Sequence, residues 1–253
     1  MDAGDREAAR HELERRLDEL EGYYAELFSE VSHDLRAPLG VILGALGELE
    51  GEGMPPLDAE QRMLLRLVRR SAIRLSHHAT DLLELSRIDA NRLQLRPGRV
   101  DLVELLGEAV EHARTVEEGV SAEVAVEAPA GPAPLRADGA RVTHALSNLV
   151  VRALRAARQR VTVRLFERGE GFRVEVCDDG AAVGGEELDG LLEHARRPTG
   201  ELGRRHLGLV VAGELARALG GEARAERAGE GGGMRTWIEL PRQPSEGPAR
   251  VDG

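Results

Sequence analysis

His33 and Asp34 place an imidazole beside a carboxylate inside the string Phe28-Ser-Glu-Val-Ser-His-Asp-Leu-Arg-Ala-Pro38-Leu39. Nucleophilic and proton-transfer chemistry need such a pair: a ring nitrogen to react and an acid to orient it or take its proton. The element that would carry it can be counted. Leu13, Leu17, Leu20, Tyr24, Leu27 and Val31 step by four and three, a heptad seam on a long helix read from about Asp5 to Glu50. His33 lies two residues past Val31, about 200° round the helix, so it points away from the seam. Pro38 removes a backbone donor and crowds the carbonyl of Asp34, so a kink is expected one turn beyond the histidine.

A lone surface histidine on a helix is usually inert, and His-Asp neighbours arise often by chance. The whole string Ser32-His-Asp-Leu-Arg-Ala-Pro38-Leu39 is more specific. It resembles the H-box of sensor histidine kinases, in which the histidine accepts a phosphoryl group and the following acid orients it or takes its proton. The resemblance implies a homodimeric four-helix bundle and a response-regulator receiver domain as partner, with a partner sensor kinase as a further candidate. Family members with phosphatase activity carry Thr or Asn four residues after the histidine. Ala37 stands there, so phosphatase activity is not expected.

The rest of the chain follows the same order. Gly51-Glu-Gly-Met-Pro-Pro56 breaks the first helix, which bears Ile42, Leu43, Leu46 and Leu49 as its apolar face after Pro38. Asp58 is then a candidate N-cap, with Gln61 completing a capping box. The second helix carries Leu64, Leu65, Val68, Ile73, Leu75, Leu82 and Leu85, a stripe broad enough for bundle packing. A hairpin of two such helices cannot bury both faces alone, which also argues for a homodimer. Pro97-Gly98 marks a linker. Beyond it, helices over 102–114, 140–158, 186–195 and 207–219 alternate with strands over 121–127, 161–166 and 172–176. The 161–166 and 172–176 strands pair as a hairpin around Glu170-Gly171. A second hairpin from Glu222 to Leu240 turns through Gly231-Gly-Gly233.

The fold class expected is therefore α+β. A dimerisation and phosphoacceptor hairpin occupies residues 1–92, a sandwich like the histidine-kinase ATP-binding domain occupies 93–242, and a disordered tail covers 243–253.

ATP and Mg²⁺ are the cofactors that the resemblance implies, but several of the residues that would hold them are altered. The N-box reads Asn148-Leu-Val-Val-Arg152-Ala153. Arg152 replaces the asparagine that holds Mg²⁺, and a guanidinium has no acceptor atom. At ~5 Å and an effective dielectric of ~20 it would repel the cation by several kcal/mol, as an order of magnitude. Arg155 keeps the basic position, while Ala156 stands where an adenine-stacking aromatic is common. In the first glycine box Asp178, the adenine-reading acid, and Gly180 survive, but Ala182 replaces a glycine. In the second box Arg204 and His206 replace glycines before Leu207-Gly208-Leu209, where backbone amides should approach the phosphates at a helix N-terminus. The lid reads Leu191-Leu-Glu-His194 in place of a Phe-rich segment.

Two readings follow. Arg152, Arg204 and Arg205 form a metal-free phosphate clamp, or the pocket is vestigial and filled by long side chains, leaving no cofactor. The candidate site residues are His33 and Asp34 for chemistry, and Asn148, Arg155, Asp178, Gly180 and Gly208 for nucleotide, with no metal ligand. The function expected is phosphotransfer or pseudokinase regulation through His33. The alternatives are an active ATP-dependent histidine kinase and a non-enzymatic adaptor.

Composition sets bounds on all of this. In 253 residues, 42% are apolar, 31% charged and 2% aromatic, so the core must be Leu, Val, Ala and Ile. The net charge of −11 argues against nucleic acid and anionic membranes as partners. No apolar run reaches the roughly 18 residues of a membrane span. The single Cys177, in an apolar-alternating pattern, reads as a buried thiol and points to a reducing, cytoplasmic setting. His77-His78 diverge by about 100° on their helix and do not chelate together.

Overall fold

A computed structural model describes residues 31, 34–51, 56–90, 92–181, 207–228 and 232–243. The readings made on the heptad seam before Val31, on His33, on the lid and second glycine box up to His206, and on the tail from residue 244 lie outside the described residues. The chain divides into two compact units at Gln94 and Leu95.

The first unit is a helical hairpin. Helix α1 covers 34–49 and stays helical across Pro38. Helix α2, Ala59–Asp89, begins at the expected capping box: Gln61 N donates to Asp58 Oδ1 at 2.8 Å, and Asp58 N donates to Gln61 Oε1 at 3.0 Å. Two amides that an α-helix leaves unpaired at its start are thereby satisfied. The helices run antiparallel, with Arg36 Nη2 donating to Thr80 Oγ1 at 3.4 Å and Arg69 bridging to Glu50. Leu39 and Leu46 are buried on α1. Ile42 and Leu49, expected on the same face, are 41% and 38% exposed, and Leu64, Leu67, Val68 and Leu75 on α2 also remain uncovered.

The second unit is built on a five-stranded sheet in the order β2 (Glu123–Glu127), β4 (Arg160–Arg168), β5 (Gly171–Asp178), β7 (Met234–Pro241) and β6 (Glu222–Arg227). Among the described strands of this sheet, only β2 and β4 run parallel. The predicted hairpins appear with their turns at Gly169, φ +56, and at Gly232 and Gly233, φ +82 and +84. A separate ribbon pairs β1 (Gly98–Asp101) with β3 (Pro134–Ala137), inside what reads from the sequence as linker and loop.

Strand alternation sorts the two faces of the sheet. Val161, Val163, Leu165, Phe172, Val174, Val176, Ile238 and Leu240 are buried with the apolar stripes of α3 (Leu102–Val116), α4 (Gly139–Ala156) and α5 (Leu207–Ala218). The intervening residues carry a lattice of arginines and acids: Arg164 on Glu127, Arg173 on Glu175 and Glu239, Arg235 on Glu226. Trp237 lies in this lattice with the Arg173 guanidinium 4.9 Å from its ring centre. Cys177 belongs to it too. It is half-buried rather than buried, and burial pushes its thiol up despite Arg235 beside it. A raised thiol is a poor nucleophile. No helix among the described residues is long and apolar enough to cross a membrane.

The starts of α3 and α4 are fixed by aspartates that also tie loops down. Asp101 accepts from Val103 N and from Ala133 N, and Asp138 from Arg141 N and from Arg96 N. Asp179 does the same for the entry to β4, accepting the backbone N–H groups of Arg158, Gln159 and Arg160. Those amides, Gln159 first, hold the Asp179 carboxyl below its usual range. A depressed carboxylate contributes stability above its unfolded pKa and loses it as pH falls through the folded value. Asp179→Asn should therefore lower stability at neutral pH, with the gap to wild type closing below about pH 4. Urea unfolding across that range reads it directly.

Candidate functional site

Asp34, the acid of the H-box, is exposed on α1, as is Ala37 one turn on. His33 lies outside the described residues. The nucleotide-site candidates form a separate group in the second unit, and their geometry starts from α4.

Residues 148, 152 and 155 recur at helical spacing and share one face of α4. Asn148 is 1% exposed and packs against the start of α5, where a Cβ on Gly208 would lie 3.0 Å from Asn148 Oδ1. Close packing of α5 on α4 thus accounts for Gly208. One turn on, Arg152 reaches the end of β5 and donates from Nη1 to Asp178 Oδ2 at 2.9 Å. The Asp178 side chain has no exposure and that of Arg152 has 11%. Burial pushes the Arg152 guanidinium below its usual range, and Asp178 draws it back up. The other carboxylate oxygen, Oδ1, accepts from Gly180 N at 2.9 Å. Both oxygens of the acid expected to read adenine are therefore engaged by this chain.

Arg155 is placed similarly. Its Nε donates to Glu117, whose side chain has no exposure and which caps the end of α3, at 2.5 Å. The rim of the site is set by backbone contact. A Cβ on Gly180 would stand 2.3 Å from Ala156 O, and one on Gly233 1.9 Å from Asp178 O. Both glycines are required by chain packing alone.

The fit to Mg-ATP can be tested on these atoms. Arg152 has no lone pair for a hard cation, and it turns toward the base-reading carboxylate, which leaves the phosphate clamp without its first member. Arg204 and Arg205 lie outside the described residues. The described donors do not match Mg-ATP as the family resemblance would have it bind. The sequence named Asp178 and Arg152 separately; their pairing, and that of Arg155 with Glu117, was missed. No motif spacing links α4 to β5 or to the end of α3.

His77 and His78 on α2 have ring centres 6.4 Å apart, and His77 Nε2 stands 3.6 Å from Asp81 Oδ2, one turn along. Among the described residues no group of three or more His, Cys, Asp or Glu is arranged to hold a metal ion.

Comparison with known proteins gives two family matches. The His Kinase A (phospho-acceptor) domain matches residues 24–91, and the histidine kinase-, DNA gyrase B- and HSP90-like ATPase matches residues 137–244. The signal transduction histidine-protein kinase AfsQ2 of Streptomyces coelicolor is 30% identical over 266 residues, covering 97% of this chain and 47% of that protein. The aerobic respiration control sensor protein ArcB of Escherichia coli is 28% identical over 206 residues, 77% of this chain. The chain spans only 26% of ArcB's length. Among solved structures, full-length ShkA in complex with AMPPNP superposes with a TM-score of 0.61 at 27% identity, over 85% of this chain and 45% of that one. The Acinetobacter baumannii histidine kinase AdeS, at 19% identity and a TM-score of 0.54 over 83% of this chain and 98% of that one, shares the fold.

The buried ion pair makes a stability prediction independent of any ligand. Arg152→Met leaves the Asp178 carboxylate buried and unpaired, which should cost about 3 kcal/mol. Adding Asp178→Leu should recover most of that loss. A double-mutant cycle by chemical denaturation measures both.

Proposed function

Because the chain belongs to the sensor histidine kinase family, we propose that it is a two-component signalling protein whose His33 carries a phosphoryl group that its own ATP-binding domain does not supply. The single observation that supports this reading is the Arg152–Asp178 pair. It uses the base-reading acid and substitutes a cation for the metal ligand.

In the transfer, a ring nitrogen of His33 attacks the phosphorus of an aspartyl phosphate on a receiver domain. The P–N bond forms as the bond to the aspartyl oxygen breaks, and the freed carboxylate keeps the electron pair. Asp34 holds the imidazole in the reactive tautomer and takes up its proton. The reverse transfer uses the same groups. The protein works as a cytoplasmic homodimer. Leu64, Leu67, Val68 and Leu75 on α2, with Ile42 and Leu49 on α1, supply the apolar surface that a second hairpin would cover in a four-helix bundle.

A second reading is favoured by Asn148 and Asp178, both retained, and by likeness to a kinase solved with AMPPNP. In it the pocket opens, ATP displaces Arg152 from Asp178, and His33 is phosphorylated directly.

The two are separated by a labelling experiment. Incubation with a phosphorylated receiver domain should label the protein, with the label lost in His33→Ala. Incubation with Mg-ATP alone should leave it unlabelled, and calorimetry with ATP at millimolar concentration should be silent. Robust labelling from Mg-ATP would establish the second reading and end the first. An unlabelled protein under both conditions, with signalling unchanged by His33→Ala in cells, would mean an adaptor that transfers nothing.

A further inference from the structure

At the end of β7 remote from Asp178, the β1–β3 ribbon and the residues after β7 enclose a groove of about 600 Å³, within the range of small-ligand sites. Its walls include Pro97, Pro134 and Leu135, and three arginines: Arg99, Arg136 and Arg242. Arg99 and Arg136 are directly opposed across the ribbon, so their side chains leave the same face. Both are exposed, and neither forms an ion pair among the described residues.

That arrangement is unusual for this chain. Acids outnumber basic residues by 45 to 34, and the arginines of the sheet's outer face sit on glutamates. Like charges placed directly opposite across two strands destabilise the pair. Arg242 completes the wall and is fixed there. Its Nη2 lies 2.7 Å from Glu167, its guanidinium carbon is 4.5 Å from the Phe172 ring centre, and its carbonyl accepts from Arg136 N at 2.8 Å.

We propose that this groove is a binding site for a phosphate monoester, with the dianion between Arg99 and Arg136 and its organic part against the exposed rings of Pro97 and Pro134. A monocarboxylate is saturated by one guanidinium fork. Two adjacent forks with a third cation nearby match a group with three terminal oxygens and close to two charges. The site uses none of the residues assigned to phosphotransfer or to the nucleotide pocket.

Calorimetric titration of the full chain at low salt tests this with phenyl phosphate, inorganic phosphate and phenylacetate. Phenyl phosphate should bind saturably and weaken as pH falls through about 6, where the dianion takes up a proton. Its affinity should drop at least about tenfold in Arg99→Ala/Arg136→Ala, the scale of one lost charge-assisted hydrogen bond or more. Inorganic phosphate binding as tightly at the same arginines would identify free phosphate as the source of the anion, and weaker binding a phosphorylated molecule. Without ligand, either single alanine variant should melt above wild type, because the opposed charges are relieved. The assignment is overturned by absent saturation, by phenylacetate binding equally well, by affinity retained in the double variant, or by neither single variant melting higher.

Discussion

A carboxylate sealed at the end of β5 governs the second unit. Asp178 has no exposed side-chain surface, and an ionised carboxylate in that position is tolerable only if both oxygens find donors. The backbone turn at Gly180 supplies one, and Arg152 on α4 supplies the other. Meeting that demand fixes much else. It brings one face of α4 against the strand end and puts a guanidinium where the family resemblance implies a metal ligand. Both donors come from the chain itself.

The same economy of charge runs through the second unit. With lysine absent from the sequence, its fixed positive charge is planar and fork-shaped, suited to clasping carboxylates. On the face of the sheet opposite α3, α4 and α5 this yields a cross-strand lattice of arginines and acids. Its outer pairs, Arg164 with Glu127 and Arg235 with Glu226, are solvated and order side chains more than they stabilise the fold, whereas Arg173 and Glu175 at its centre are largely buried. The buried pair of Arg152 with Asp178 is of another kind, since losing one partner strands the other away from water.

Much of the architecture was legible because local chemistry and global fold agree. Asp58 with Gln61 predicted a helix start from two residues, and the alternation of Val161 to Val176 with Glu170-Gly171 predicted a hairpin and its turn. The β1–β3 ribbon was not legible, because its strands have four residues each, too few for a period to show, and one begins at the very Pro97-Gly98 that reads as a linker. Within one hairpin the stripe is covered only in part, as the sequence led one to expect of two helices alone. Periodicity gives the apolar face of α1, but not which of Leu39, Ile42, Leu46 and Leu49 a single partner helix can cover. The candidate nucleotide residues were found by motif, whereas what they do to one another depends on the contact of α4 with β5, a pairing no sequence spacing encodes.

Gly180 and Gly233 lead to a point about reading such chains. Each is demanded by a carbonyl oxygen pressed against it, Ala156 O for one and Asp178 O for the other, at distances no side chain tolerates. Neither glycine can be replaced without rebuilding the sheet, with or without a ligand in the pocket. These two glycines therefore record a demand of the scaffold. The letters that track a living activity are the ones that only the ligand required.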